Sequence, residues 1–294
     1  MEISLEELRE GFTKYRYIIS EDALYTVYLS LRLDKPLLVC GPPGVGKTEL
    51  AKVLSKILGA ELVRLQCHEG LDESTALYDW NIQRQLVKIH IAEKDEQLVE
   101  EEIFSFSNLL QRPLLRAITS DKKVVLLIDE IDRSDSSFEA LVLEVLSDFQ
   151  ISIPELGTIV ARHKPTVVIT SGGERELSEP LRRRCVFLYL DFPKIDEEVS
   201  ILKNRIPEVL DNIQEEIARG VAWARDEGFR LGPNAPAAMG WARTLLYLSA
   251  GSYQKEYVDK TLETLMANQE NLLAFWSRLE EEASENVEKE KGLE

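Results

Sequence analysis

Gly41-Pro42-Pro43-Gly44-Val45-Gly46-Lys47-Thr48 is the stretch that decides the fold. It satisfies G-x-x-x-x-G-K-[ST] at every fixed position, the pattern of a phosphate-binding loop. Its flanks agree. Leu37-Leu38-Val39-Cys40 is apolar enough for a buried strand, and the pattern from Lys47 to Leu58, closed by Gly59, predicts a helix. Glycines let the backbone turn tightly enough for several N–H groups to point at one anion. The helix N-terminus adds its dipole to that cradle. Lys47 brings a mobile cation to the β- and γ-phosphates, and Thr48 offers a hydroxyl to Mg²⁺. ATP with Mg²⁺ is the expected ligand, contacted by Gly41, Pro42, Pro43, Gly44, Val45, Gly46, Lys47 and Thr48, with Glu49 in the first helical turn.

Working outward, Val124-Val125-Leu126-Leu127-Ile128 is the strongest strand, and it runs into Asp129-Glu130. Ligands of open parallel sheets lie at such carboxyl ends. As a Walker B pair, Asp129 is the expected holder of Mg²⁺ through water, and Glu130 the general base that orients and deprotonates the attacking water. Leu62-Val63-Arg64-Leu65, Val167-Val168-Ile169-Thr170 and Val186-Phe187-Leu188-Tyr189 supply three more strands. Near-continuous apolar strands alternating with helical patterns predict an α/β chain, an αβα sandwich on a five-stranded parallel sheet. Phe149–Ile153 and Thr158–Ala161, around Pro154-Glu155-Leu156-Gly157, predict a β-hairpin inserted before the fourth strand. Beyond Phe192-Pro193 the pattern turns helical. This gives a nucleotide-binding domain over 1–192, an all-helical subdomain over 193–279 and a polar tail over 280–294.

Composition narrows the function classes. Among 294 residues, 52 Asp and Glu oppose 35 Lys and Arg, a net charge of -17. Such a chain repels phosphate backbones and anionic headgroups, which argues against a nucleic-acid motor. Cys40, Cys67 and Cys185 form no CxxC pair and read as small buried hydrophobes rather than a disulfide framework or zinc site. His68, His90 and His163 lack metal-pair spacing. No apolar run approaches the ~20 residues of a membrane span, and the acidic, amphipathic N-terminus is unlike a signal peptide. A cytoplasmic location is expected.

The sequence resembles the AAA+ ATPases, and within them the MoxR family, from about Tyr17 to Trp241. Beyond the Walker segments, three runs carry the resemblance. Asp129-Glu130-Ile131-Asp132-Arg133 leads through Phe138-Glu139-Ala140 and Leu143-Glu144-Val145-Leu146 to the hairpin at Ile153–Thr158. The segments Arg64–Leu71 and Ala76–Asn81 resemble the branch that accompanies carbon monoxide dehydrogenase maturation. Arg175-Glu176-Leu177, followed by Leu181-Arg182-Arg183-Arg184-Cys185, resembles the arginine-finger segment. The resemblance implies that the helical subdomain is a lid. It implies a homo-oligomeric ring, usually a hexamer, with ATP between neighbours and Arg184, or next Arg183, as the finger that stabilises transition-state charge in trans. It also implies a chaperone that remodels or activates a metalloenzyme client, often with a von Willebrand factor A partner. The His68–Asn81 loop would face the ring axis, where Leu71, Tyr78 and Trp80 would grip a client or else pack in the core.

Two positions depart from the family pattern. After Thr170-Ser171 the sensor 1 asparagine is replaced by Gly172-Gly173, and no arginine lies in the first helical turn at Pro233-Asn234-Ala235-Pro236, with Arg230 and Arg243 only nearby. Slow basal hydrolysis is the expectation from the first departure.

Overall fold

The apolar runs become strands because each is continuous in β-favouring residues and interrupted by turn or capping residues. The computed structural model describes residues 3–91, 103–205, 218 and 239–240. In chain order the described helices and strands begin with α1 (Leu5–Lys14), α2 (Glu21–Arg32), β1 (Leu37–Cys40), α3 (Lys47–Ile57), β2 (Glu61–Gln66), α4 (Glu73–Ala76), β3 (Tyr78–Trp80) and α5 (Ile82–Ile91). They continue with β4 (Leu109–Gln111), α6 (Pro113–Thr119), β5 (Val124–Asp129), α7 (Ser136–Asp148), β6 (Gln150–Ile153), β7 (Gly157–Val160), β8 (Thr166–Ser171), α8 (Glu179–Arg184), β9 (Val186–Tyr189) and α9 (Ile195–Arg205).

Five strands form one sheet in the order β2-β5-β8-β1-β9, every neighbouring pair parallel. All five are those expected from the sequence. Successive side chains of a strand point to opposite faces, and here both faces are apolar. Leu126, Ile128, Val167 and Ile169 join one core with α6 and α7, while Val125, Leu127 and Val168 join the other with α1, α2 and α3. Coverage on both sides is why these strands read as unbroken apolar runs rather than alternating ones. The expected hairpin is present, with β6 antiparallel to β7 and Ile151 and Ile153 in the first core.

Sheet register places the site. Cys40 of β1 is level with Ser171 of β8, and Ile128 of β5 with Ile169 of β8. The strand ends carrying the loop, Asp129 and Thr170 therefore lie side by side. For the segment after β2, the structure supports the second of the two expectations, packing in the core. Leu71 is buried, and Tyr78 and Trp80, on a strand paired with β4, are partly buried against the same core. Trp80 also meets Phe104 edge to face. Tyr78 and Trp80, two apart on β3, share one face of that strand and pack against the cluster that contains Leu71.

Residues 1–42 and 46–190 belong to one packed unit; the second takes 43–45 and 191–294. Of the second, α9 is described, with Asp196, Glu197 and Glu198 in its first turn and Lys203 and Arg205 in its last, complementing the helix dipole. Apart from 218 and 239–240, the expected helical subdomain beyond α9 lies outside the described residues, as do the polar tail, Arg230 and Arg243. Among those described, no helix is long and apolar enough to cross a membrane.

Gly11 of α1 is where that helix meets the helix after the loop. A Cβ placed there would stand 2.7 Å from Ile57 Cγ1 and 2.9 Å from Cγ2. Gly11→Leu is expected to destabilise the protein by about 1–3 kcal/mol through overpacking, read as a lower urea midpoint. Pairing it with Ile57→Ala should recover part of that loss.

Candidate nucleotide site

The loop begins where β1 ends and closes at Gly46, the N-cap of α3, whose φ of 99° is left-handed. A side chain there would be strained, which is why this position of the motif is glycine. Tyr17 seals the turn from outside, its hydroxyl donating to the Gly46 carbonyl at 3.3 Å. Burial pushes the Tyr17 phenol well above its ordinary value, so it remains a donor. Lys47 is buried, and its Nζ donates to the carbonyls of Gly41 (2.6 Å) and Pro42 (2.8 Å). Burial lowers the Lys47 pKa, and the nearby acids Asp132, Glu130 and Asp129 oppose that shift. A buried ammonium held only by neutral carbonyls is poised to exchange them for an anion.

Asp129 ends β5 with its side chain only 2% exposed. Thr48 Oγ1 donates to its Oδ1 at 3.0 Å, and Thr170 Oγ1 donates to the same oxygen at 2.6 Å. Arg64 of β2 grips Oδ2 with Nε (3.0 Å) and Nη2 (2.6 Å). The hydroxyl of Thr48 and the carboxylate of Asp129 thus converge at the start of α3. One hydroxyl and one carboxylate, both hard oxygens, fit Mg²⁺, which keeps several waters and takes further oxygens from phosphates.

Glu130 follows with φ 58° and ψ 51°, a left-handed conformation unusual for a residue with a side chain. The surroundings hold it there. Its N–H donates to Thr170 Oγ1 at 2.8 Å, and its Oε2 accepts from Gln66 Nε2 at 2.8 Å and pairs with Arg133 at 3.0 Å. Strain of this kind costs of order 1–3 kcal/mol and persists where neighbours over-determine it, commonly at functional sites.

The sensor 1 segment is organised by a second acid. Asp132 is buried and accepts N–H bonds from Gly172 (3.0 Å) and Glu174 (2.8 Å). Thr170, not Ser171, is the residue that meets the Walker B pair. A third buried acid, Glu139 of α7, accepts Ser178 N–H at 3.0 Å and pairs with Arg175. It anchors the chain that leads into α8.

The structure brings Lys47, Thr48, Asp129 and Glu130 to one end of the sheet. Arg183 and Arg184, at the end of α8, point elsewhere within the chain. Arg183 pairs with Glu179, and Arg184 bonds Ser147 and the Leu143 carbonyl of α7. Arg64, Gln66, Asp132 and Arg133 were not singled out as site residues by sequence reasoning, and Thr170 only as one of two substitutes, with Ser171, for the missing sensor 1 amide. The signal for two of them was there: Arg64 and Gln66 alternate with the apolar Val63 and Leu65 along β2. Of the thiols, Cys67 is buried and Cys40 and Cys185 are half-buried against the same core; burial pushes Cys67 and Cys185 up to about 12.

Known proteins share this architecture. The RuvB Holliday junction branch migration motor of Thermotoga maritima superposes with a TM-score of 0.51 at 22% identity, covering 92% of this chain and 72% of that one. In sequence, an uncharacterized protein of Staphylococcus aureus (strain bovine RF122 / ET3-1) is 29% identical over 184 residues, which span 60% of this chain and 61% of that protein. The peroxisomal Lon protease homolog 2 of Zea mays is 27% identical over 228 residues, 71% of this chain and 22% of that protein. Residues 36–185, more than half of the chain, match the family model described as AAA domain (dynein-related subfamily), from the strand before the loop to the end of α8, and the chain belongs to this family of AAA+ ATPases.

Proposed function

We propose that this chain binds and hydrolyses ATP, and that as a MoxR-type ring, hexameric by resemblance, it uses the cycle to remodel or activate a client protein, in the first instance a metalloenzyme during maturation. The observation that carries the catalytic part is the convergence of Lys47, Thr48, Asp129 and Glu130 at adjoining strand ends. The chaperone part is supported by the run from Asp129 through α7 into the β6–β7 hairpin, the features quoted above as MoxR-like. The von Willebrand factor A partner belongs to the same reading.

In this scheme Lys47 leaves the Gly41 and Pro42 carbonyls for the β- and γ-phosphates, and the loop N–H groups orient them. Thr48 and Asp129 would hold Mg²⁺, which would supply positive charge against the phosphate oxygens. Glu130 leaves Gln66 and Arg133 to accept the proton of a water aligned with the γ-phosphate. Arg184, with Arg183 beside it, reaches a neighbouring subunit's phosphate from the end of α8. Thr170 supplies a hydroxyl where it bonds Asp129 and the Glu130 N–H, while Gly172 brings only its backbone. A scaffold that binds ATP but scarcely turns over is the second reading, favoured by that glycine and by the engaged state of Glu130.

Lys47→Ala is expected to abolish binding of a fluorescent ATP analogue in an equilibrium titration; wild-type affinity would refute the loop assignment. Glu130→Gln should retain analogue and Mg²⁺ binding while steady-state turnover drops about 10²–10⁴-fold, the range for loss of a general base. At Gly172 there is room for a side chain, since an added Cβ stands 3.5 Å from Asp132 Oδ2 and φ is not left-handed. Gly172→Asn should therefore raise turnover several-fold at saturating Mg-ATP with nearly unchanged affinity. An unchanged rate would mean that Thr170 already fills the sensor role.

A further inference from the structure

Asp129 is already fully engaged. A carboxylate offers roughly four lone-pair sites. Oδ1 accepts from Thr48 at 3.0 Å and Thr170 at 2.6 Å, and Oδ2 accepts from Arg64 Nε at 3.0 Å and Nη2 at 2.6 Å. With four donors in place, a metal-bound water finds no acceptor position on this side chain. One donor has to withdraw before Asp129 serves a metal ion.

The three donor residues differ in what withdrawal costs. Thr170 is fully buried, and its hydroxyl also accepts the Glu130 N–H, so moving it would leave two groups unsatisfied. Thr48 is the hydroxyl offered to the metal itself. Arg64 stands on β2, an edge strand, with its side chain 48% exposed, so its guanidinium can swing into water and keep its hydration. It is also the donor that opposes a dication by charge, since its positive head cancels the negative charge that would attract Mg²⁺.

We infer that Arg64 is a resident counter-ion of the metal carboxylate, holding Asp129 in the metal-free site and yielding its place on Oδ2 when Mg²⁺ arrives. It acts through Asp129 and is a positioning residue. Its presence sets how strongly the site prefers Mg-ATP over ATP alone. ATP without metal leaves the Arg64–Asp129 pair intact; ATP with metal must break it. The inference rests on the reading of the loop as an ATP site.

The test uses the full chain as wild type, Arg64→Gln and Arg64→Lys, with a fluorescent, non-hydrolysable ATP analogue. Affinity is measured in EDTA and in saturating Mg²⁺, and the ratio of the two is compared between proteins. The ratio removes any direct effect of the substitution on the nucleotide. Arg64→Gln is expected to raise the Mg²⁺ preference about tenfold, by removing a like charge close to the metal. Arg64→Lys keeps the charge but cannot bridge Oδ2 with two donors, and should raise the preference by a smaller factor. A purely structural role for Arg64 would lower the thermal midpoint and weaken both affinities, leaving the ratio unchanged or reduced. An unchanged or reduced ratio in both variants overturns the counter-ion role. Absence of analogue binding by the wild type in both conditions overturns the ATP-site reading itself, and the counter-ion role with it.

Discussion

A single buried carboxylate ties the site together. Asp129 is almost sealed from solvent, and an ion so placed is tolerable only when its oxygens are hydrogen-bonded and its charge is matched. The partners come from three separate parts of the chain: Thr48 on α3, Thr170 on β8 and Arg64 on β2. Those elements flank β5 or cover it, so the carboxylate is satisfied only if the strand order and register are those observed. The same acid that would serve the metal thus also reports whether the sheet is assembled correctly.

Around it, three further acids divide the work of holding loops. Glu130 is fixed in a left-handed conformation by Thr170, Gln66 and Arg133. Asp132 gathers the N–H groups of Gly172 and Glu174. Glu139 fixes Ser178 and Arg175 ahead of the helix that ends in Arg182-Arg183-Arg184. Asp132 and Glu139 are buried, and buried polar groups arranged this way are costly if any member is lost, so they rigidify the segments they join. The loops at this end of the sheet gain their shape from such contacts more than from apolar packing.

Charge acts on two scales. The chain as a whole is strongly acidic, yet the loop presents a buried lysine and the N-terminus of α3 to an anion. Short-range preorganised donors outweigh a diffuse surface field that salt screens within about 10 Å. A net charge of -17 is therefore compatible with a site for a polyphosphate, while it disfavours long contacts along a nucleic-acid backbone.

The five strands, the hairpin, the phosphate loop and the Asp129-Glu130 pair were legible in the chain because each is a local pattern. Apolar runs, turn residues and fixed spacing act over fewer than a dozen neighbours, and burial on both faces leaves an unbroken apolar signature. Arg64, Gln66 and Asp132 were not read as site residues: alternation along β2 marks a polar face but not the acid it serves, and nothing local distinguishes Asp132 from a surface carboxylate. Parallel pairing, which joins residues more than forty positions apart, set Arg64 and Thr170 against Asp129. Leu71, Tyr78 and Trp80 illustrate the same limit, because an aromatic-rich loop reads alike whether it faces a client or a core. Only the tertiary packing shows them against the core. Local chemistry named the loop proposed to take the phosphate; the long-range register decided which side chains surround the carboxylate beside it, because hydrogen-bond partners are chosen by distance in space and not by distance along the chain.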